Sequence, residues 1–449
     1  MADIITPRTI SGFPEHSPEN RRIELELLDK IRQWYELAGF TNIETPAVER
    51  TEVLTSKGAE DKEIYTLSRL QADEWEKDDK LALHFDLTVP MARYVAQRYN
   101  ELTFPFRRYQ IQKVWRWERP QGGRYREFYQ ADIDIVWDGN LPLSADVEVL
   151  TTIDNVLSWL NIWDYTIRLN NRKIIIGFIK SLGIQDERKV SQVTRIIDKM
   201  TKIWELEVRN LLWNLDIHED VCNKIIEFCR ITHTWNEWTL EYLKQLNSPD
   251  IENWVSELEE VYSQAKMLWM DMKKIAIDPS IARWLGYYTG TIYETFLSGH
   301  EGLWSICSGW RYDNLASYFT DKKLPWVGVS IWVSRLFTRL LEIEKLNTKV
   351  QSPSKVLVTR LQERYLSEYL HILWELRKSW IPSELYLDGT VKIGKQIGYA
   401  NRKWIPYAIV AGESEIEQNE VQLKHMYTGD KEQVSIEQIS QRVKELLAQ

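Results

Sequence analysis

Cysteine is scarce in this 449-residue chain, with Cys222, Cys229 and Cys307 as the whole complement. Three is an odd number and too few for a disulfide scaffold, and none has a second cysteine or a histidine at zinc-finger spacing. Reduced thiols and no structural metal are therefore expected. Long apolar runs are missing too: no stretch of 18 apolar residues occurs, and the first residues lack the apolar core of a secretory signal. Membrane spanning and secretion are not expected, and a cytosolic address is. There is no excess of basic charge. Lysine and arginine number 57 against 66 acidic residues, for a net charge of −9. Nucleic-acid binding by bulk charge is not indicated, so any such contact needs a local basic surface. The strangest shortage is glycine. There are 19 glycines and 21 tryptophans, where a usual glycine share of about 7% would give roughly 30.

What is present suffices for real cores, since 44% of the residues are apolar. The length suits about three domains of ~150 residues each. One stretch organises the rest, from Arg116-Trp117-Glu118-Arg119-Pro120 through Gln121-Gly122-Gly123-Arg124-Tyr125-Arg126 to Val136. It reads as strand, loop, strand, with Pro120 and the Gly122-Gly123 pair breaking the pattern in the middle. After the loop the period is two. Tyr129, Ala131, Ile133 and Ile135 form an ordinary core face, whereas Phe128, Gln130, Asp132 and Asp134 form the other. An amide and two carboxylates make a poor core and a plausible pocket floor. The loop carries Arg119, Arg124 and Arg126, with Arg116 just before it. Guanidinium forks there suit a polyphosphate, because each donates to two oxygens at once. The same spacing also suits a solvated arginine-rich hairpin.

Ahead of this stretch, Ser17-Pro18 opens a helix with Ile23, Leu27, Ile31, Trp34 and Ala38 at helical spacing, and Gly39 is its stop. Phe40 to Val48 reads as a short strand containing Pro46, which marks an edge or bulge. Leu81 to Arg93 passes from strand to helix. Within it Asp86 and Thr88 share a face if extended, or start the helix as caps. Ser144 to Asn161 reads as helix and Tyr165 to Asn170 as strand. From about 171 to 272 the pattern is helical. Strand patterns return at 283–296 and 304–313, and 327–344 passes from strand into a helix holding Arg335. Beyond Pro353, strands at 355–359, 384–387 and 407–410 alternate with helices, which argues an α/β unit with a mostly parallel sheet. Lys392, Lys395, Arg402 and Lys403 gather on or near one helix of that unit. They make a basic surface or simply a solvated face.

The 116–136 stretch resembles motif 2 of class II aminoacyl-tRNA synthetases in their histidyl form. Further segments follow in the order of that family: Asp86-Leu87-Thr88 upstream, then Arg283-Trp284-Leu285-Gly286-Tyr287-Tyr288-Thr289-Gly290, Ser305-Ile306-Cys307-Ser308-Gly309-Trp310-Arg311-Tyr312-Asp313, and a motif-3-like Gly328-Val329-Ser330-Ile331-Trp332-Val333-Ser334-Arg335. The resemblance covers nearly the whole chain. It implies an α+β protein with the class II antiparallel-sheet catalytic core at 1–170 and 276–350. A helical insertion would occupy 171–275, and a C-terminal α/β anticodon-binding domain 351–449. It implies histidine–tRNA ligase chemistry with ATP as substrate, Mg2+ accompanying the ATP, tRNA(His) and L-histidine as partners, and a homodimer through the first helix and strand. By resemblance, Arg283 and Arg116 are catalytic. Asp86, Leu87, Thr88, Arg116, Gln130, Asp134, Arg283, Tyr287 and Tyr288 take histidine. Arg116, Glu118, Arg124 and Arg335 take ATP. Gly286 departs from the acidic residue many members place there. The rivals are a non-catalytic paralogue serving as a regulatory subunit and an RNA-binding protein on an inactive core. Retention of the motif arginines and of the C-terminal domain argues against the first.

Trp137, Trp163, Trp284, Trp304, Trp310, Trp326, Trp332, Trp380 and Trp404 stand where the resembled enzymes usually carry glycine. Together with the glycine shortage, this suggests UGA codons meant as glycine and translated as tryptophan; the alternative is a genuinely tryptophan-rich, inactive protein. Trp115, at a usually aromatic position, is expected to be genuine.

Overall fold

The computed structural model describes residues 5–448 apart from 57–62, 72–79, 162–163, 199, 201–203, 232–234, 247–248, 283–288, 301–303, 314 and 347–349. Its Cα packing separates into two compact units, one of residues 1–15 and 24–345, the other of residues 16–23 and 346–449.

The first unit is built on an eight-stranded sheet. Its spatial order is Thr41–Asn42, Phe106–Trp115, Glu127–Val136, Trp326–Trp332, Cys307–Tyr312, Thr291–Leu297, Tyr165–Asn171 and Ile275–Ile277. Only the two outermost pairings are parallel; the five between them are antiparallel. The sheet's last strand in chain order, Trp326–Trp332, thus sits beside the motif strand at 127–136, in the middle of the sheet. The helix Pro18–Leu37 starts with proline, whose missing N–H costs nothing at that place, and Ser17 Oγ accepts the Asn20 amide at 3.4 Å. Leu27, Leu28, Ile31 and Tyr35 are buried at 3.6-residue spacing. The Tyr35 hydroxyl donates to the Ala131 carbonyl at 3.0 Å, which seats this helix against the motif strand. The strand expected over 40–48 is divided. Thr41–Asn42 joins the large sheet, and Val48–Arg50 pairs with Leu81–Leu83 in a separate antiparallel ribbon. Pro46, which has no amide to donate, lies in the break.

Between Asn171 and Met272 the helical expectation holds. Among the described residues, six α-helices cover Arg172–Ser181, Glu187–Ile197, Glu205–Trp213, Glu219–Arg230, Asn236–Lys244 and Pro249–Met267. Their apolar faces close on one another, with Phe178 stacked on Phe228 at 4.1 Å between ring centroids.

The second unit has a five-stranded sheet in the order Ser383–Leu385, Val356–Val358, Tyr407–Val410, Glu420–His425, Lys431–Ser435. The first three strands are parallel, as the alternation of strands and helices predicts, and the last two form an antiparallel hairpin. That hairpin is too polar to stand out by periodicity, because only Val421 and Leu423 of its inner strand are buried. Leu366–Lys378 and Ile439–Leu447 cover one face, burying Tyr369, Ile372, Leu376, Ile439 and Val443 with Val356, Val358 and Ile409.

This core is separate from that of the first unit, so a cavity cut in it should register on its own. Leu376→Ala is expected to lower stability by about 2–5 kcal/mol, read from the urea midpoint of the C-terminal transition. A midpoint shift under about 1 kcal/mol would mean that the site collapses on itself.

Candidate active site

The site grows out of strand register. Across the antiparallel pair, Arg108 faces Asp134, Gln110 faces Asp132 and Gln112 faces Gln130. On the other side of the motif strand Gly328 faces Asp134, Ser330 faces Asp132 and Trp332 faces Gln130. Residues paired in this way share a face of the sheet. The alternation that set Gln130, Asp132 and Asp134 apart from their apolar neighbours therefore becomes a polar patch three strands wide. It is also dry. Arg108 is fully buried, and Gln110, Gln130, Asp132, Asp134 and Ser330 are all buried.

Its charges are arranged in one cluster. Arg108 Nη2 lies 2.5 Å from Asp134 Oδ2. Gln130 Nε2 donates to Ser330 Oγ at 2.7 Å. Burial pushes the Asp134 carboxyl up to about 8; Arg108 opposes this, and the neighbouring Asp132 and Asp86 add to it. Burial likewise lifts Asp132 to about 6, against the pull of Arg108 and a hydrogen bond from Ser330. Three carboxyls around one fully buried guanidinium cannot all stay charged, so this cluster holds a proton near neutral pH. Gly328 makes the arrangement possible. A Cβ there would lie 1.9 Å from Asp134 Oδ1, so only glycine lets the strand carry that carboxylate.

Asp86 is buried, and its Oδ1 accepts the Val89 amide at 3.1 Å, capping the helix Thr88–Gln97. Thr88 is the first helical residue and Leu87 the residue before it. The three sit as a helix start, not as an extended segment presenting two side chains to one side.

Next to the polar patch lies a cleft lined by Arg116, Arg124 and Arg335 together with Glu118, Gly123 and Trp332. Each arginine is held by the fold. Arg116 Nε donates to the Phe85 carbonyl at 2.8 Å, and its Nη2 reaches Gln130 Oε1 at 3.4 Å. Arg335, buried on the helix Val333–Glu342, donates to the carbonyls of Gly123 at 3.2 Å and Ser305 at 2.7 Å. Arg124 pairs with Glu118. Gln121 and Arg124 exchange backbone hydrogen bonds at 3.1 and 2.9 Å, closing a tight turn that Gly123 completes at φ +70°. Three guanidinium groups against one carboxylate, in a partly dry cleft, make a site for a strongly anionic ligand. Arg119 and Arg126 take no part in this lining; Arg126 donates to the Glu118 carbonyl and lies over the Trp117 ring at 3.9 Å.

The fold thus brings Arg116, Glu118, Arg124, Gln130, Asp134 and Arg335 into one region, with Asp86 close enough for its charge to act on both buried aspartates. Arg283, Tyr287 and Tyr288 lie outside the described residues, as do Trp284 and Gly286. Sequence reading passed over Arg108 and Ser330. The signal was available in Arg108, Gln110 and Gln112, three polar residues at period two inside a strand. It had meaning only once their register partners were known.

The chain is similar to known proteins along nearly its whole length. Residues 12–336 match the family model described as histidyl-tRNA synthetase, and residues 355–446 match that of the anticodon-binding domain. The chain is 41% identical over 451 residues to histidine–tRNA ligase of Clostridium tetani, covering 98% of this chain and 99% of that protein. It is 40% identical over 460 residues to the same-named protein of Nostoc sp., covering 99% of each. Among solved structures, the crystal structure of histidyl-tRNA synthetase from Nostoc sp. PCC 7120 superposes with a TM-score of 0.88 at 39% identity, covering 98% of this chain and all of that one.

The buried carboxyls predict a pH dependence. An unfolded aspartate titrates near 4, whereas these two titrate near about 6 and about 8 in the fold. The folded chain holds more protons between those limits. Stability from this cluster is therefore fully present below about pH 4 and is lost as pH rises through about 8. Asp134→Asn should flatten the fall in urea midpoint between about pH 5 and pH 8 relative to the parent chain. Parallel curves for the two proteins would show that Asp134 is not the titrating group.

Proposed function

The chain belongs to the histidyl-tRNA synthetase family, and from that premise we propose that it is a histidine–tRNA ligase acting in the cytosol. It activates L-histidine with ATP and passes the histidyl group to tRNA(His). The observation that carries this reading is the convergence of three arginines on a cleft that opens beside a buried, carboxyl-rich patch. One half suits a triphosphate and the other an amino acid with a polar ring.

In the first step the histidine carboxylate attacks the α-phosphate. A carboxyl–phosphate anhydride forms and pyrophosphate leaves with the electron pair of the broken P–O bond. Chemistry of this kind needs alignment and neutralisation of charge more than covalent help. Arg116 reaches from the cleft to Gln130 on the patch, so it serves the histidine carboxylate or the α-phosphate. Arg124 and Arg335 serve the ATP phosphates, with Glu118 orienting Arg124. Arg283 completes the charge around the α-phosphate. Asp86-Leu87-Thr88 serves the α-amino group, and Gln130, Asp134, Tyr287 and Tyr288 serve the ring. A neutral imidazole has one donor and one acceptor, and a carboxyl poised near neutrality can meet either. Glu118 is the only carboxylate among the described residues lining the cleft. That is enough for Mg2+, which takes most of its ligands from phosphate and water and would supply further neutralisation of the triphosphate. In the second step the terminal ribose hydroxyl of tRNA attacks the anhydride carbonyl and AMP leaves.

The catalytic core is assigned to 1–170 and 276–350, the helical insertion over the tRNA acceptor end to 171–275, and anticodon binding to 351–449. In the last, Lys392, Lys395 and Arg402 are exposed on or beside one helix. Lys403 is taken up by Glu384 at 3.1 Å. Pairing of two chains through Pro18–Leu37 and its following strand gives the homodimer. One observation favours a second reading, an inactive paralogue: the indole of Trp332 occupies the cleft.

Three measurements check the proposal. ATP–pyrophosphate exchange that requires histidine is expected of protein isolated from the cells that encode it, and its absence would leave the inactive paralogue. In that protein Arg283→Ala and Arg116→Ala should each reduce exchange by roughly 100-fold, as for loss of one donor to transition-state charge, without changing the circular dichroism; wild-type exchange in either removes that residue from the mechanism. Light scattering at micromolar concentration should report twice the 53.3 kDa chain mass, and a monomer would end the dimer assignment.

A further inference from the structure

Four tryptophans adopt the left-handed backbone conformation: Trp269 at φ +64°, Trp304 at +69°, Trp380 at +61° and Trp404 at +57°. The other described non-glycine residues with positive φ are Asn161, Asp216, Asn419 and Glu344. Asparagine and aspartate visit this region readily, whereas a bulky aromatic there is a genuine outlier.

Three of the four occupy the same structural position. Trp269 follows the helix Pro249–Met267, Trp380 the helix Leu366–Lys378 and Trp404 the helix Ile393–Arg402. At each, the tryptophan amide donates to the carbonyl three residues back, and the next amide reaches five residues back. The second bond runs from Met270 to Ala265 at 3.3 Å, from Ile381 to Leu376 at 3.0 Å and from Ile405 to Ala400 at 3.0 Å. The next residue is apolar and buried in every case. Gly39, at φ +80°, ends the helix Pro18–Leu37 with the same two bonds, and buried Phe40 follows it. This is the glycine stop of a helix, in which the turn needs a positive φ and the residue after it packs back. At two of the stops the side chain stays in solvent, whereas Trp404 lies against the Tyr427 ring at 5.7 Å. Trp269 and Trp380 leave 95% and 94% of their surface in solvent.

The fourth, Trp304, lies at the cleft with Trp332. The Trp304 ring lies 4.9 Å from the Arg124 guanidinium. The Trp332 ring lies 3.6 Å from that of Arg335 and 5.9 Å from that of Arg116. The two indoles cover all three cleft arginines. The room left is about 10 Å³, enough for about one water, where a nucleotide-sized ligand needs a few hundred. Trp115 is the contrast. It sits in a strand, donates its indole N–H to Glu127 at 2.9 Å and stacks on His84 at 5.5 Å. Trp137, Trp310 and Trp326 lie in or beside strands without positive φ, so the backbone does not single them out. Trp163 and Trp284 lie outside the described residues.

We infer that the working protein carries glycine at positions 269, 304, 332, 380 and 404, encoded by UGA triplets that its own cells read as glycine, and that these glycines end three helices and open the nucleotide cleft. The left-handed backbone favours glycine at 269, 304, 380 and 404, although Glu344 makes the same helix stop after Val333–Glu342, and the filled cleft favours it at 332. The ATP readout below rests on the histidine–tRNA ligase reading; the codon and backbone readouts do not.

The test has three arms. Peptide mass spectrometry of protein from its own cells, with the coding DNA, should show glycine and UGA at the five positions and tryptophan and UGG at Trp115. UGG at the five overturns the inference and leaves the ligase reading standing. Full-length protein with Trp269→Gly and Trp380→Gly should melt at a higher temperature than the all-tryptophan chain, because an exposed indole is exchanged for a residue at ease with the turn; a lower melting temperature overturns the helix-stop assignment. Full-length protein with glycine at all five should bind ATP by titration calorimetry, and the all-tryptophan chain should not. Equal binding by both overturns the cleft assignment. Glycine in the native peptides without histidine-dependent exchange would sink the ligase reading alone.

Discussion

The first unit depends on one buried arginine–carboxyl pair and the register that creates it. Arg108 and Asp134 face each other across an antiparallel ladder, both buried. Arg108 would not be tolerated there alone, because an isolated charge in a dry interior loses its hydration and gains nothing in return. A slip of one residue in either strand would set Asp134 against Arg107 or Tyr109 instead of Arg108. The pairing therefore locks the central strands, and with them every residue of the polar patch. Gly328 completes the lock from the third strand, since no other residue leaves room for the carboxylate.

The cleft is organised by a different device. Two of its arginines are aimed by backbone carbonyls, Arg116 by Phe85 and Arg335 by Gly123 and Ser305, while Arg124 is held by Glu118. A carbonyl orients a guanidinium without neutralising it. The charge remains available to a ligand, and the side chain loses little further freedom when the ligand arrives. Arg335 also ties three separated parts of the chain together, the tight turn, the loop before Cys307–Tyr312 and the helix after the last sheet strand. Phosphate recognition and folding of the sheet centre thus share contacts.

Much of this was legible beforehand, for identifiable reasons. The helix Pro18–Leu37 was bounded by a proline at its start and a glycine at its stop, and its apolar residues had the right spacing. The motif strand was visible because its two faces differ so sharply in polarity. Elsewhere the local signal failed. Asp86 and Thr88 could be read as an extended pair or a helix start, and only the hydrogen bond from the Val89 amide decides for the helix start. The hairpin Glu420–Ser435 stayed hidden, because a strand with few buried residues at the side of a sheet has little alternation to show.

The sequence by itself determined the order of elements, the chemistry-bearing residue types and the excess of tryptophan over glycine, because these follow from short-range spacing and composition. Tertiary structure alone decided which polar residues meet. Arg108 precedes Asp134 by 26 positions and Gln130 precedes Ser330 by 200, separations over which no local pattern carries information; register across three strands closes them. It also sorted the tryptophans. Identical letters in the chain became an anchored indole at 115, a helix stop at 269, 380 and 404, and a plug over arginines at 304 and 332. Backbone dihedrals and neighbours, which a sequence does not contain, set what each position can hold.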